Sequence, residues 1–458
     1  MKKKDRSRLT KPGEREPPSL PEFYLTQILR PFQRFAEEEA SGGIILLLCT
    51  VAALVWSNSP WQGSYAALWH MEFSLGWGHF LFSKPLHFWI NDGLMTVFFL
   101  LVGLEIKREL LVGELASPRR AALPIVAALG GMVVPAAIYF ALNAGTSGAR
   151  GWGIPMATDI AFAIGVLALL GRRVPAALKV FLVALAIVDD IGAVLVIAIF
   201  YTSEISWISL AGGLFLLLIL AGANRSHVRH PYVYAVLGIF LWLAFLKSGV
   251  HTTIAGVLLA MTIPARTRIG ADGLLRQGRA LLDAFEEAGD QGKSIMVHAE
   301  RQDALQSLEE VCEHAETPLQ RFERALHPWV TFLIMPLFAL ANAGVTLEGG
   351  AASAMSRVSV GIVLGLVLGK QIGITFFAWA AVRSGMAAFP PEIRWRQIYG
   401  VGWLGGIGFT MSLFVADLAF GETAQLPMAK MGILAASILA GAGGWIILYQ
   451  NATRKNAA

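Results

Sequence analysis

With 458 residues, 55% of them apolar and only 15% charged, and a mean hydropathy of +0.58, the chain is too apolar for a soluble domain. A net charge of +5 would suggest nucleic acid in a soluble protein. Here the Lys and Arg sit in short loops between apolar runs, so no nucleic-acid partner is expected and the partner is the lipid bilayer.

Residues 1–41 form a basic, Pro-bearing tail, MKKKDRSRLTKPGEREPP at its start, with no apolar core close behind. No cleaved signal peptide is expected, and Phe23 to Phe35 fits a short amphipathic surface helix. A first span follows at Gly42–Trp56. The loop Trp61 to Pro85, with apolar residues flanking Gly76-Trp77-Gly78, predicts an extracytoplasmic β-hairpin. Its edge strands would offer a homodimer contact through residues 61–85.

Further apolar runs lie at Leu86–Leu104, Ala121–Leu142, Trp152–Leu170, Ala176–Phe200, Ile208–Ala223, Tyr232–Leu246 and Val250–Ile263. They complete spans one to eight within residues 42–264. Residues 265–326 are polar, with helical spacing in RQDALQSLEEVCEHAE, and read as a cytoplasmic insertion. Val330–Val345, Val358–Val382, Ile398–Phe420 and Met428–Tyr449 supply spans nine to twelve in 327–450, before a tail at 451–458. The fold class is therefore an all-α polytopic membrane protein of about twelve transmembrane helices.

Loop charges set the orientation. One set of loops carries the basic N-terminus, Lys107, Arg108, Arg119, Arg120, Arg172, Arg173, Arg225, Arg229, the 265–326 segment, Arg383, Arg394, Arg396, Arg454 and Lys455. The alternate loops carry single cations, Lys84, Arg150, Lys247, Arg357 and Lys430, and none around Thr202. Both termini are therefore expected in the cytoplasm. Cys49 in a span and Cys312 in a cytoplasmic loop predict no disulfide.

The span Phe181 to Phe200, FLVALAIVDDIGAVLVIAIF, is apolar except for Asp189 and Asp190 at its middle. One Asp at mid-span costs about 2.5–3.5 kcal/mol on insertion scales, so two demand a bundle interior or a wet cavity. A structural ion pair would need only one of them. Successive helix residues diverge by about 100°, so one carboxylate should meet a cavity and the other a partner helix.

Two spans are interrupted. WGIPMATDIAFAIGVLALL carries Pro155 ahead of Thr158-Asp159, and VGWLGGIGFTMSLFVADLAF carries Gly402, Gly405, Gly406 and Gly408 ahead of Thr410. They fall in corresponding three-span groups, around 121–200 and 358–449, as inverted repeats place a mid-membrane site. Asp159 is suited to the positive ends of broken helices, and Lys370 to the negative ends or to Asp189 or Asp190. Snorkelling is the alternative for Lys370, and its mid-span place argues against it. Gly361, Gly365 and Gly369 look like small-residue packing.

Adjacent buried carboxylates titrate as a unit, and hard cations prefer oxygen ligands. Asp189, Asp190, Thr158 and unwound backbone could hold either a cation or protons, and a site opening to each side in turn would exchange them. No P-loop GxxxxGK[ST] is present and no cofactor is expected. GLEIKREL puts Glu105, Lys107, Arg108 and Glu109 at the end of the second span, either as a solvated helix end or as a pH-sensing entrance cluster. His251 titrates in a useful range, although a lone His is more often structural.

FFLLVGLEIKREL (98–110), ATDIAFA (157–163), ALAIVDDIGA (184–193), LKSGVHTTIAG (246–256), HPWVTFLIMPLFALANAGV (327–345) and GIGFTMSLF (406–414) together resemble the bacterial NhaA-type sodium/proton antiporters. The resemblance covers about residues 25–450 outside 265–322, and the family is itself a type example of inverted repeats. It implies twelve helices with two crossed, interrupted ones at Thr158-Asp159 and Gly406–Thr410. It implies pH-regulated, electrogenic exchange of cytoplasmic Na+ or Li+ for external protons across the inner membrane, often by homodimers. Asp189 and Asp190 would carry the exchange, with Lys370 paired to Asp189 and both Asp159 and Lys370 compensating helix ends. Glu105, Arg108, Glu109 and Glu323 would sense pH, with His251 a further candidate. Gln371 stands where the family pattern has Pro, Asp417 is an extra carboxylate, and the long insertion precedes Glu323.

Two other functions fit parts of this pattern. An intramembrane aspartyl protease needs two Asp from separate helices, and a proton-coupled transporter of an organic solute needs a larger polar pocket.

Overall fold

The computed structural model describes residues 41–453 except 78–79, 203, 268, 289–298 and 347–354. The tail helix expected at Phe23–Phe35 and residues 454–458 lie outside the described residues.

Helix α1 (Ser41–Ser57) turns by 114° into α2 (Gln62–His70). A hairpin of β1 (Glu72–Trp77) and β2 (Phe80–Pro85) follows, pairing Glu72 with Pro85 and Trp77 with Phe80. It stands within the loop Trp61 to Pro85, where apolar residues flanking Gly76-Trp77-Gly78 suggest one. The long apolar helices are α3 (Leu86–Val112) and α4 (Pro118–Asn143), followed by the broken pair α5 (Ser147–Met156) and α6 (Ile160–Leu169). Next come α7 (Ala176–Phe200), α8 (Trp207–Arg225) and α9 (Pro231–Ser248), then the short α10 (Thr253–Thr262). Two polar helices, α11 (Ala271–Glu287) and α12 (Ala299–Ala315), pack on each other within the 265–326 segment. The chain returns through α13 (Pro318–Asn342) and α14 (Arg357–Arg383) to a second broken pair, α15 (Trp395–Gly405) and α16 (Phe409–Phe420). It closes with α17 (Gln425–Thr453).

Among the described residues eight helices are long and apolar enough to cross a membrane, and three bent pairs add one crossing each if each pair counts as a span. The remaining apolar unit is α10, whose ten residues reach only about 15 Å, half a hydrocarbon core. Its C-terminal carbonyls are not left bare. Lys107 Nζ donates to the carbonyls of Met261 at 2.7 Å and Ile263 at 2.5 Å. A cation at a helix C-terminus is the favourable sign, so Lys107 holds α10 against α3 rather than lying free in a loop.

Helix α13 starts at Pro318, behind a capping box in which Thr317 and Gln320 satisfy one another's backbone. Glu323 therefore sits on a helix that continues into the bundle, not in the polar hairpin.

Helices α4 and α14 pack closely along their length. The backbones of Gly130 and Gly373 touch, and a Cβ on either would run into the other's carbonyl. This contact sets the height of Lys370, one helical turn before Gly373, and a widened π turn over Gly365–Gly369 precedes it. Overpacking such a contact costs about 1–3 kcal/mol or more. Gly373→Leu is expected to lose the monodisperse peak in size exclusion, whereas Gly212→Leu, at an open position, keeps it.

Candidate ion site at the crossing of two broken helices

Each broken pair bends by nearly the same angle, 45° between α5 and α6 and 44° between α15 and α16. The first break follows Pro155, where Ala157 and Asp159 take extended backbone, and the second falls in Gly405-Gly406-Ile407-Gly408. Unwound backbone at membrane depth needs partners, and the two breaks supply them to each other. The Asp159 N–H donates to the Ile407 carbonyl at 2.6 Å. Ser412 Oγ donates to the Ile154 carbonyl at 2.8 Å, and Ser437 Oγ accepts from Phe409 N at 3.2 Å.

Asp159 caps both positive helix ends. Its Oδ1 accepts from Phe162 N in the first turn of α6, at 3.1 Å. Its Oδ2 accepts from Thr410 N in the first turn of α16, at 3.0 Å, and from the Thr410 hydroxyl. One carboxylate thus answers two half-helix dipoles.

On the negative side, the Thr158 hydroxyl stands within 2.9 Å of the Gly405 carbonyl, at the end of α15, and 2.6 Å from Asp189 Oδ2. It accepts from Lys370 Nζ at 2.9 Å, so its one proton is shared between those two acceptors. Lys370 also donates to Asp189 Oδ2 in a salt bridge, both side chains fully buried. Lys370 reaches the end of α15 through Thr158 and not by a direct bond to a carbonyl.

Asp189 and Asp190 diverge around α7. Asp189 faces Lys370 and Thr158, while Asp190 makes no hydrogen bond among the described residues and lines a different space. Asp189 Oδ1 and Asp190 Oδ1 are buried without a hydrogen-bond partner. Asp190 shares a small cavity of about 40 Å³ with Asp159, Glu105, Phe98, Met335 and Met411. That space holds about one or two waters or a partly stripped monovalent cation, and no organic solute. Among the described residues no three His, Cys, Asp or Glu side chains converge as a resident metal site does. The donors here are carboxylate, hydroxyl and backbone oxygens, which suit a hard ion in passage.

The other charged candidates separate into two groups. Arg108 pairs with Glu323 across α3 and α13 and reaches Glu109 Oε1 at 3.5 Å, close to Glu105 at the mouth of the small cavity. His251 is not with them. Its Nε2 lies 3.8 Å from Asp92 Oδ1, its Nδ1 is 2.9 Å from the Thr253 hydroxyl, and its ring meets Phe414 edge-on. Asp92 and Glu105 are about 20 Å apart along α3. Asp417 accepts from Asn91 Nδ2 at 2.9 Å on the His251 side. Gln371 accepts from the Tyr399 hydroxyl at 3.1 Å, and helix α14 runs on regularly through it.

Thr410, Ser412, Ser437 and Lys107 take structural parts that the sequence did not assign to them. A serine in an apolar helix carries no signal of which carbonyl it will meet, because its partner is far away in sequence.

Crossed broken helices, a buried carboxylate pair, one of it locked to lysine, and a cavity sized for a small ion define a secondary carrier of small cations. Comparison with known proteins gives the particular family. Residues 33–448 match the family model described as Na+/H+ antiporter 1. The chain is 54% identical over 424 residues to the Na(+)/H(+) antiporter NhaA of Koribacter versatilis, covering 92% of each. It is 52% identical over 425 residues to that of Oleidesulfovibrio alaskensis, 93% of this chain and 94% of the other. With that of Acidithiobacillus ferrooxidans the figures are 48% over 433 residues, 93% and 99%. The chain belongs to the NhaA family of Na+/H+ antiporters. It is a multi-pass membrane transporter and not an enzyme, so the protease reading falls.

Proposed function

We propose that this chain exchanges Na+, or Li+, for protons by alternating access, with Asp190 as the carboxylate that holds either one. The observation that carries this reading is Asp190 itself, deeply buried, without a hydrogen-bond partner, and facing a cavity of about 40 Å³. A carboxylate so placed needs a cation or a proton, and the space admits one small ion at a time. Asp189, held by Lys370 and Thr158 beside that space, is the second carboxylate of the site, and Thr158 and Asp159 hold the surrounding backbone in place. Lys370 supplies positive charge to the site when the ion has left, and Asp159 keeps both helix starts neutralised throughout.

The end of α3 that carries Lys107 and Arg108 faces the cytoplasm, by the excess of basic residues on that side, and both termini lie there too. The membrane is the bacterial inner membrane. Glu105, Arg108, Glu109 and Glu323 form the inner mouth, where protonation of the carboxylates would loosen the α3–α13 pair and regulate entry with pH. His251 belongs to the outer half of the molecule, so any part it has in pH response acts from there. The exchange is electrogenic, and the hairpin of β1 and β2 offers its edges to a second copy.

The test is pH-dye fluorescence in everted vesicles from a host lacking its own antiporters. Added Na+ should collapse a preformed proton gradient, while added choline should not. A gradient that survives Na+ across pH 6.5 to 8.5 would reject the exchange.

A further inference from the structure

Beyond the ion site, the outer half of the molecule holds a second polar cluster. Helix α16 presents Met411, Phe414 and Asp417 at three-residue spacing, so they share one face. Met411 lines the small cavity of Asp190. Phe414 packs on Phe99 and Phe338, all three essentially inaccessible to solvent, as a dry aromatic plug between Met411 and Asp417 on that face. Asp417, half-buried, lies beyond this plug and borders a wide vestibule of about 670 Å³. One face of one half-helix therefore runs from the ion site, through a dry plug, to a carboxylate in an open chamber.

The surroundings of Asp417 are built rather than incidental. Asn91 Nδ2 donates to its Oδ2 at 2.9 Å. Asn91 and Asn342 exchange amide hydrogen bonds at 2.8 and 3.2 Å, and His87 Nε2 stands 3.1 Å from Asn342 Oδ1. Asn91 sits on a π turn of α3, a local widening that turns its side chain to this network. The second observation is Lys430 of α17. It is only 8% exposed, lines the same vestibule, lies within electrostatic reach of Asp417, and has no hydrogen bond or ion pair among the described residues. Its stem is buried while its ammonium borders the open vestibule, where the charge of Asp417 answers it at a distance.

We propose that Asp417 is an outer station for the transported cation, with Lys430 as the tethered charge that stands in when the station is empty. This rests on the antiport reading and extends it. A Na+ ion arriving from outside finds one carboxylate with free lone pairs and the carbonyl oxygens of Asn91 and Asn342 close by. Lys430 opposes its stay, so the ion is drawn into the vestibule without being trapped. When the Phe99–Phe414 contact parts in the outward-open conformation, the station feeds the path to Asp190. The composition repeats that of the inner site, where a buried lysine likewise faces a carboxylate held by neutral donors.

The experiment compares the full chain in right-side-out and everted vesicles from the same antiporter-deficient host, with NaCl as the probe. The quantity read is the ratio of half-saturating Na+ at the outer face to that at the cytoplasmic face. Asp417→Asn should raise this ratio about fivefold, roughly the effect of one charge across wet space. Lys430→Gln should lower it. A merely structural role would impair both variants in the same direction. Ratios unchanged in both variants, or shifted the same way, would overturn the outer station. If Asp417→Asn does not fold, the sign of the Lys430→Gln shift decides alone. A wild-type chain with no Na+-driven proton movement from either face would instead reject the antiport reading itself.

Discussion

In everted vesicles Asp190→Asn is expected to abolish the Na+-driven collapse of the proton gradient while leaving a fully folded protein. The amide has the shape of the carboxylate but neither charge nor a titratable proton, so it can take up neither passenger. Folding should not suffer, because Asp190 makes no hydrogen bond among the described residues and its Oδ1 is buried and partnerless. Replacing a buried charge that lacks a partner by a neutral isostere commonly costs nothing and can stabilise. The thermal midpoint in detergent should therefore stay level or rise. Residual exchange above about a tenth of wild type would move the passenger to Asp189 and dissolve the division of labour between the two carboxylates. The contrast is Asp189→Asn, which also strips Lys370 of its salt bridge and should cost stability as well as transport.

The second large effect is expected at Asp159, through the backbone. Asp159→Ala removes acceptors from Phe162 N, from Thr410 N and from the Thr410 hydroxyl in one step. A lost cap costs about 1 kcal/mol and a hydrogen bond to a charged group about 1.5–3 kcal/mol, so the combined cost is about 3–6 kcal/mol. That is a large share of the stability of a domain. The variant should unfold at markedly lower temperature and lose transport, because the crossing that positions Thr158 and Asp190 is no longer held. Asp159→Asn keeps an acceptor for one helix start and should fall between wild type and Ala in both measurements. If Asn and Ala behave alike, charge at the helix ends outweighs capping. If Ala is as stable as wild type, the crossing is held by other bonds.

How far the site was readable depends on the kind of signal each residue carries. Asp189, Asp190 and Lys370 stand out because a charge inside twenty apolar residues is costly wherever it points. The two interruptions were legible because Pro155 and the run Gly402 to Gly408 violate helix propensity over several residues. The π turns before Lys370 and at Asn91 were not legible. Each is a one-residue widening driven by neighbouring helices, and no local composition encodes it.

The short α10 shows the limit for spans as well. The run Val250–Ile263 passes a hydropathy window, yet its helix is ten residues long and ends where Lys107 donates to its last carbonyls. Lys107 read as one more loop cation, because the carbonyls it serves lie some 150 positions away. Asp417 read as an extra carboxylate in an apolar helix. Its tie to Asn91, from the other end of the chain, and its place on the vestibule gave it a setting.

By itself the sequence determined the class of molecule, the number and order of apolar units, the two breaks, and the residues too expensive to bury idly. These follow from solvation and local propensity, which act on each segment wherever it ends up. The residues by themselves left open which of two neighbouring aspartates meets Lys370, a pairing that only the family resemblance implied. Tertiary structure places Asp189 on Lys370 and Asp190 on the cavity, and shows one carboxylate, Asp159, bonded to two helix starts at once. Those assignments depend on how helices distant in sequence rotate and cross, and rotation is set by packing between them.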